Sequence, residues 1–194
     1  AKGMVETGDW VVPQYEGKPF FDKPVLSYWL MAAAMEALGT TPGAARLVPV
    51  LASAGVLLAV AWLGALLFDR RTGLVSALVL ATTLAFLSFA RVAMSDMLLT
   101  LWTTTAAALG VLAWRPRSPA WAVPGLGAVL GLGFATKGPV ALVVAGAALL
   151  LLLWENRRRP IPCGPLPLAL GLLAFAVLGL GWFALVWGRL GTEP

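Results

Sequence analysis

Six apolar stretches, each close to the length of a bilayer crossing, constrain this chain more than any other feature: Leu47–Phe68, Leu74–Ala90, Met97–Trp114, Ala120–Thr136, Pro139–Trp154 and Leu166–Trp187. A helix needs roughly 17–25 apolar residues to cover the hydrocarbon of a membrane. Of the 194 residues, 60% are hydrophobic and 12% charged, whereas a soluble domain carries roughly 45–50% and 25%. A chain this poor in charge cannot coat itself with polar surface, so lipid must cover it. The sequence therefore reads as all-α: one polytopic transmembrane helix bundle, about six helices over residues 47–190, preceded by a loop with interfacial helices over residues 1–46.

The breaks between the stretches carry turn residues and charges. Arg70, Arg71, Arg115, Arg117, Arg157, Arg158 and Arg159 fall in the first, third and fifth breaks, while the second and fourth have only Arg91 and Lys137 near them. Lys/Arg-rich loops stay in the cytoplasm. Residues 1–46, the Arg91–Asp96 turn and the Lys137 turn thus share the non-cytoplasmic side, and any chemistry belongs there. The net charge of +5 is accounted for by these loops rather than by a nucleic-acid stripe. With no histidine and one cysteine, Cys163, the chain holds no histidine zinc site, Ser-His triad or intrachain disulfide. Cys163, near the cytoplasmic end of the last stretch, is expected to stay reduced.

Residues Ala1 to Asp9 lack the apolar core of a signal peptide and read as the tail of an amphipathic helix. The chain begins without Met, and further sequence is expected upstream and downstream. Gly8 to Pro19 reads as a loop or a short extended pair, with Trp10 and Tyr15 suited to a membrane surface. Val25–Leu38, at about 14 residues and with Tyr28 and Glu36 in it, reads as an interfacial helix rather than a span. Gly127, Gly131 and Gly133 form a small-residue face that permits close helix packing.

Five charged residues at span ends need a reason, because charge beside hydrocarbon is costly. Asp22 and Lys23 follow Phe20 and Phe21, which press the segment into the interface; the charges form a solvated local pair or face an anionic ligand. Arg91 and Asp96 flank a turn. Ser95 or Asp96 caps the helix starting at Met97 and Arg91 pairs with Asp96 or reaches lipid phosphates, or the two orient a phosphorylated or hydroxylated substrate. Lys137 is a lone cation beside the helix-breaking Gly138-Pro139 on the side where cations are disfavoured, so it anchors the chain or binds an anion. Together these residues offer cations for a phosphate and carboxylates for a hydroxyl.

Several runs match a known family in order and spacing: Gly8-Asp9-Trp10-Val11-Val12-Pro13, Gly17-Lys18-Pro19-Phe20-Phe21-Asp22-Lys23-Pro24, Tyr28-Trp29, Ala45-Arg46-Leu47-Val48-Pro49, Ala90-Arg91, Ser95-Asp96-Met97-Leu98-Leu99-Thr100 and Thr136-Lys137-Gly138-Pro139. They resemble the polyprenyl-phosphate-sugar-dependent glycosyltransferases of the GT-C superfamily, which include lipid A aminoarabinose transferases and relatives of protein O-mannosyltransferases. The resemblance implies a bacterial inner-membrane enzyme that transfers a sugar, with inversion, from a polyprenyl-phosphate donor to a lipid, glycan or protein acceptor on the periplasmic face. It implies that Lys23 and Lys137 bind the donor phosphate and that Asp96 is a supporting acidic residue; Arg91, from its charge and place alone, is a further candidate for substrate binding. The main catalytic Asp, in an Asp-Glu pair, is expected upstream of Ala1, so the fragment alone is expected to be inactive. Asp22 stands where some relatives have a metal-contacting Glu, which makes it the one candidate ligand for a divalent metal. The competing class is a non-catalytic membrane transporter or lipid-phosphate-binding protein; polar breaks confined to span ends, and the lack of an internal repeat, favour the enzyme.

Overall fold

A computed structural model describes residues 1–155, 157 and 163–191. The helical reading holds throughout. A short helix α1 (Lys2–Thr7) leads into a two-residue antiparallel pair, β1 (Gln14–Tyr15) and β2 (Lys18–Pro19), then α2 (Leu26–Leu38). The bundle follows as α3 (Pro42–Leu67), α4 (Arg70–Ala81), α5 (Leu84–Ala90), α6 (Asp96–Ala113), α7 (Ala122–Lys137), α8 (Pro139–Glu155), α9 (Pro165–Phe175) and α10 (Gly181–Leu190). A π-helical turn over Ala176–Leu180 joins the last two, so Pro165–Leu190 is one 26-residue apolar helix. Arg158 and Arg159, two of the charges behind the orientation, lie outside the described residues.

Helix starts follow local chemistry. The Thr41 hydroxyl accepts the Ala44 N–H at 3.2 Å and Pro42 occupies the first turn of α3, a position that needs no N–H donor. Asp69 Oδ1 accepts the Thr72 N–H at 2.9 Å at the start of α4. This bond, with a second from the Thr72 hydroxyl, holds the Asp69 carboxyl below its ordinary range.

Among the described residues three helices, Pro42–Leu67, Asp96–Ala113 and Pro165–Leu190, are each long and apolar enough to cross a membrane. The stretch Leu74–Ala90, expected as a single run, is instead two helices bent by 72°. The hydroxyls of Thr82 and Thr83 both donate to the Val79 carbonyl, at 2.9 and 3.0 Å, and so satisfy backbone that would otherwise need a further turn of helix. The 16 residues of α7 and 17 of α8 make shorter elements, paired with each other and with α6.

Packing runs in a row, α4 against α3, α3 against α6, α6 against α7 and α7 against α9, with α8 filling the angle between α6 and α7. One core joins Ala52 and Val56 of α3, Phe86 and Ala90 of α5, and Met97 and Leu98 of α6. A second joins Met4, Val25 and Ala32 to Trp182 of α10, which fixes the N-terminal segment over the ends of the bundle. Close helix approach comes from glycine. A Cβ on Gly127 would collide with the Gly171 backbone, and one on Gly131 would meet Phe175 at 3.1 Å, so the small-residue face of α7 packs on α9. Outward side chains such as Leu58, Leu78, Val143 and Leu151 are more than 60% exposed, as a lipid-facing belt requires.

Contacts between distant segments agree with the sidedness read from the charges. Asp9 meets Arg189 at 3.0 Å and Asp96 meets Lys137 at 2.7 Å, all on the side assigned as outer. Arg115 donates to the Leu66 carbonyl at 2.5 Å on the opposite side.

Candidate functional site at the outer end of the bundle

The site centres on two turns brought together by α6 and α7. Lys137 is the last residue of α7, and Gly138 breaks the chain with φ 61° and ψ −141°. That left-handed conformation suits glycine, and nothing but Pro24 Cγ, at 3.8 Å, lies near the missing Cβ. The sharp turn, not a lack of space, calls for glycine here. The same proximity puts the Lys23-Pro24 segment against the Lys137–Gly138 turn.

Lys137 Nζ donates to Asp96 Oδ1 at 2.7 Å. The side chains are 27% and 38% exposed, so the pair is ordered yet reachable. An exposed ion pair contributes about 0–1 kcal/mol, too little to explain the placement by stability alone. Behind it, the buried Thr136 hydroxyl donates to the Leu132 carbonyl at 2.7 Å and accepts the Trp102 indole N–H at 3.0 Å. Trp102, on α6, thereby ties α7 at the residue next to Lys137. The sequence reading passed over Trp102, although a tryptophan in an apolar helix always raises the question of where its N–H goes.

Neither helix-capping reading of Ser95-Asp96 describes the geometry. Ser95 makes no capping bond with its side chain, and its hydroxyl is buried without a partner among the described residues. Asp96 lies in the first turn of α6 and points to Lys137. Arg91 does not pair with Asp96. It lines a different cavity with Arg46 and Lys2, whereas Asp96 lines a groove of about 320 Å³ with Leu80, Phe86, Phe89 and Met97. A carboxylate among the walls of a largely apolar groove is suited to a molecule with a polar head and a hydrocarbon tail.

Lys23 is half-buried and Asp22 exposed. Burial, and then the negative charge of Asp22, push the Tyr28 phenol above its ordinary value, which places Asp22 beside α2. No group of three or more histidine, cysteine, aspartate or glutamate side chains gathers as a metal site among the described residues. Asp22 is thus not a member of such a group among the described residues.

The Gly8–Pro13 run has a positioning role. Asp9 Oδ1 accepts the N–H groups of Val11 at 2.9 Å and Val12 at 3.2 Å and meets Arg189 of α10. The first of these bonds leads the causes that hold its carboxyl below the ordinary range. The Trp10 carbonyl accepts the Trp29 indole N–H at 2.6 Å, and the Val11 carbonyl accepts that of Trp182 at 2.8 Å. Two tryptophans from separate helices thus lock the loop that leads to Lys23.

Comparison with known proteins gives a consistent set of likenesses. The family described as dolichyl-phosphate-mannose-protein mannosyltransferase matches residues 22–182. An undecaprenyl phosphate-alpha-4-amino-4-deoxy-L-arabinose arabinosyl transferase of Pectobacterium carotovorum is 33% identical over 184 residues, covering 91% of this chain and 33% of the relative. The enzyme of the same description from Yersinia enterocolitica is 29% identical over 188 residues, covering 94% and 33%. The chain thus spans about a third of the length of these relatives. The crystal structure of ArnT from Cupriavidus metallidurans bound to undecaprenyl phosphate superimposes with a TM-score of 0.86 at 24% identity, covering 100% of this chain and 36% of that one, and so shares its fold.

Proposed function

Because the chain belongs to the dolichyl-phosphate-mannose-protein mannosyltransferase family, we propose that the protein carrying it is a membrane glycosyltransferase. It would move a sugar from a polyprenyl-phosphate donor to an acceptor on the non-cytoplasmic face. The observation that carries this reading is the Lys137–Asp96 pair, 2.7 Å apart, in which Asp96 lines an apolar groove and Lys137 precedes the turn that meets Pro24. A polyprenyl phosphate has the matching form: a hydrocarbon chain for the groove and a phosphate for the lysines. The relatives' printed descriptions name an undecaprenyl-phosphate-linked aminoarabinose, a donor of this class.

In the proposed reaction the bond between the sugar's anomeric carbon and the donor phosphate oxygen breaks. A bond from the acceptor hydroxyl oxygen to that carbon forms on the opposite face, and the hydroxyl proton passes to a carboxylate base. The departing polyprenyl phosphate carries the electron pair and needs no proton. Lys137 and Lys23 stabilise the charge it gains, an electrostatic role that counts most where water is scarce. Asp96 aims Lys137 and supports the site. The base itself is assigned to the Asp that the family resemblance places upstream of Ala1.

The test is transfer in proteoliposomes by the whole protein with a polyprenyl-phosphate sugar donor. Lys137→Ala should lower turnover by about 10²–10³-fold, the scale set by removal of one electrostatic stabiliser, with insertion and yield unchanged. Lys23→Ala should act in the same direction. Unchanged rates in both variants would remove the lysines from the site. Donor binding without transfer in the unaltered protein would leave a lipid-phosphate-binding protein instead.

A further inference from the structure

The cavity that takes Arg91 away from Asp96 has a composition of its own. It measures about 640 Å³ and is lined by Arg46, Arg91 and Lys2, with Thr41 and the apolar Val92 and Met94 among its walls. No acidic residue lines it. Lys2 shares its charge with Glu6 at 3.4 Å, while Arg46 and Arg91 have no ion pair among the described residues. The amino end of the 26-residue helix α3 opens into it at Thr41 and Pro42, which adds partial positive charge. Val92 and Met94 are 45% and 47% exposed, so apolar surface lies beside the cations at the level where α3 begins and α5 ends.

Arg46 and Arg91 are exposed and without an ion pair among the described residues, on the side where the charge bias disfavours them, and arginine's forked donors fit phosphate oxygens. The exposed apolar rim would be a liability against water and is an asset against acyl chains. We propose that this cavity binds the phosphate of a membrane glycerophospholipid, as a second anion site separate from the Asp96–Lys137 pair. The inference does not depend on glycosyl transfer and stands or falls on lipid binding alone.

The experiment uses the whole protein in nanodiscs of phosphatidylcholine doped with phosphatidylglycerol, with retained lipid counted by native mass spectrometry. The unaltered protein should retain one phosphatidylglycerol. R46Q/R91Q should weaken retention about 30-fold, the scale for two basic residues at an anionic headgroup, and R46K/R91K should recover part of it. Met94→Glu places an acid in the cavity without removing either arginine and should cause a similar loss, which covers the case of a poorly folding double variant. Retention should be unchanged by Lys137→Gln. Equal retention in R46Q/R91Q or Met94→Glu overturns the proposal, as does loss in Lys137→Gln, which would put the lipid in the other site. Displacement by millimolar inorganic phosphate in the buffer would also overturn it, since the cavity would then bind the free ion rather than a lipid.

Discussion

The two ends of the bundle are held by different means. At the outer end, side chains bridge segments far apart in sequence: Trp182 to Val11, Arg189 to Asp9, Trp29 to Trp10, Trp102 to Thr136 and Lys137 to Asp96. At the inner end, among the described residues, the polar contacts are mostly local, such as Asp69 with Thr72, and Arg115 to Leu66 is the long-range one. Apolar packing is enough to keep helices together, but it does not fix an ammonium against a carboxylate. The long-range hydrogen bonds concentrate where side-chain geometry has to be specified.

That contrast can be broken. The largest effect is expected from Gly127→Leu, which forces a side chain into the Gly171 backbone. Overpacking costs about 1–3 kcal/mol or more, and α10, continuous with α9, should carry the outer contacts away with it. Thermal unfolding of the purified protein should fall, with faster hydrogen exchange over residues 9–13. Protection there that survives the mutation would mean that the outer end is held independently of the bundle.

Trp182→Phe sharpens the comparison. It removes the donor to the Val11 carbonyl at a cost of about 1–2 kcal/mol, and exchange should quicken over residues 9–13 but not over residues 66–73. A uniform increase would show that the ends are not separable.

Acid probes the same loop more gently. Backbone N–H bonds, led by Val11, and the Arg189 guanidinium hold the Asp9 carboxyl below its ordinary value. The unfolded loop therefore takes up a proton first. The contribution is fully present above the ordinary aspartate value of about 3.9 and is lost as pH falls through the lower folded value. Because the pair is partly exposed, the effect should stay below about 1 kcal/mol. The protection of the amides over residues 9–12, taken relative to their intrinsic exchange at each pH, should be flat above about pH 5 and fall below about pH 4, and Asp9→Asn should remove that fall. The smallest effect is expected from Arg115→Ala at the inner end, within about 0.5 kcal/mol as for a surface change. An unfolding shift larger than that of Trp182→Phe would reverse the contrast.

The bundle was largely legible because its determinants are local. Apolar length marked α3 and α6, arginine clusters marked the loops, and Gly127 and Gly131 announced a close helix contact that α9 supplies. The 72° break was not legible, since a threonine hydroxyl can bond back to the preceding turn inside a helix as well as at its end, and only the structure shows that Thr82 and Thr83 both do so to Val79 at a stop. At the site, Lys137 and Asp96 stood out as charges beside hydrocarbon, but their pairing did not, because 41 positions separate them. Arg91 is the instructive case. Five residues from Asp96 in sequence, it suggests a local pair, yet the Arg91–Ser95 turn sends the two side chains into different cavities. Sequence proximity says little about direction at a turn that lacks regular structure.

The break between α4 and α5 also bears on how a molecule finds Asp96. The groove that Asp96 lines is walled by residues on both sides of that bend and at it, Leu80 before, Thr83 in the break, and Phe86 and Phe89 after, on a flank where Leu84 is 79% exposed. The groove thus runs along the bent flank of the bundle. Were the proposed polyprenyl-phosphate donor to arrive along that flank, it would keep its chain in hydrocarbon throughout and search a plane instead of a volume. Its encounter rate would then be set by its surface density in one leaflet and by bilayer viscosity, and water-soluble molecules carrying the same head group would be poor competitors for the groove.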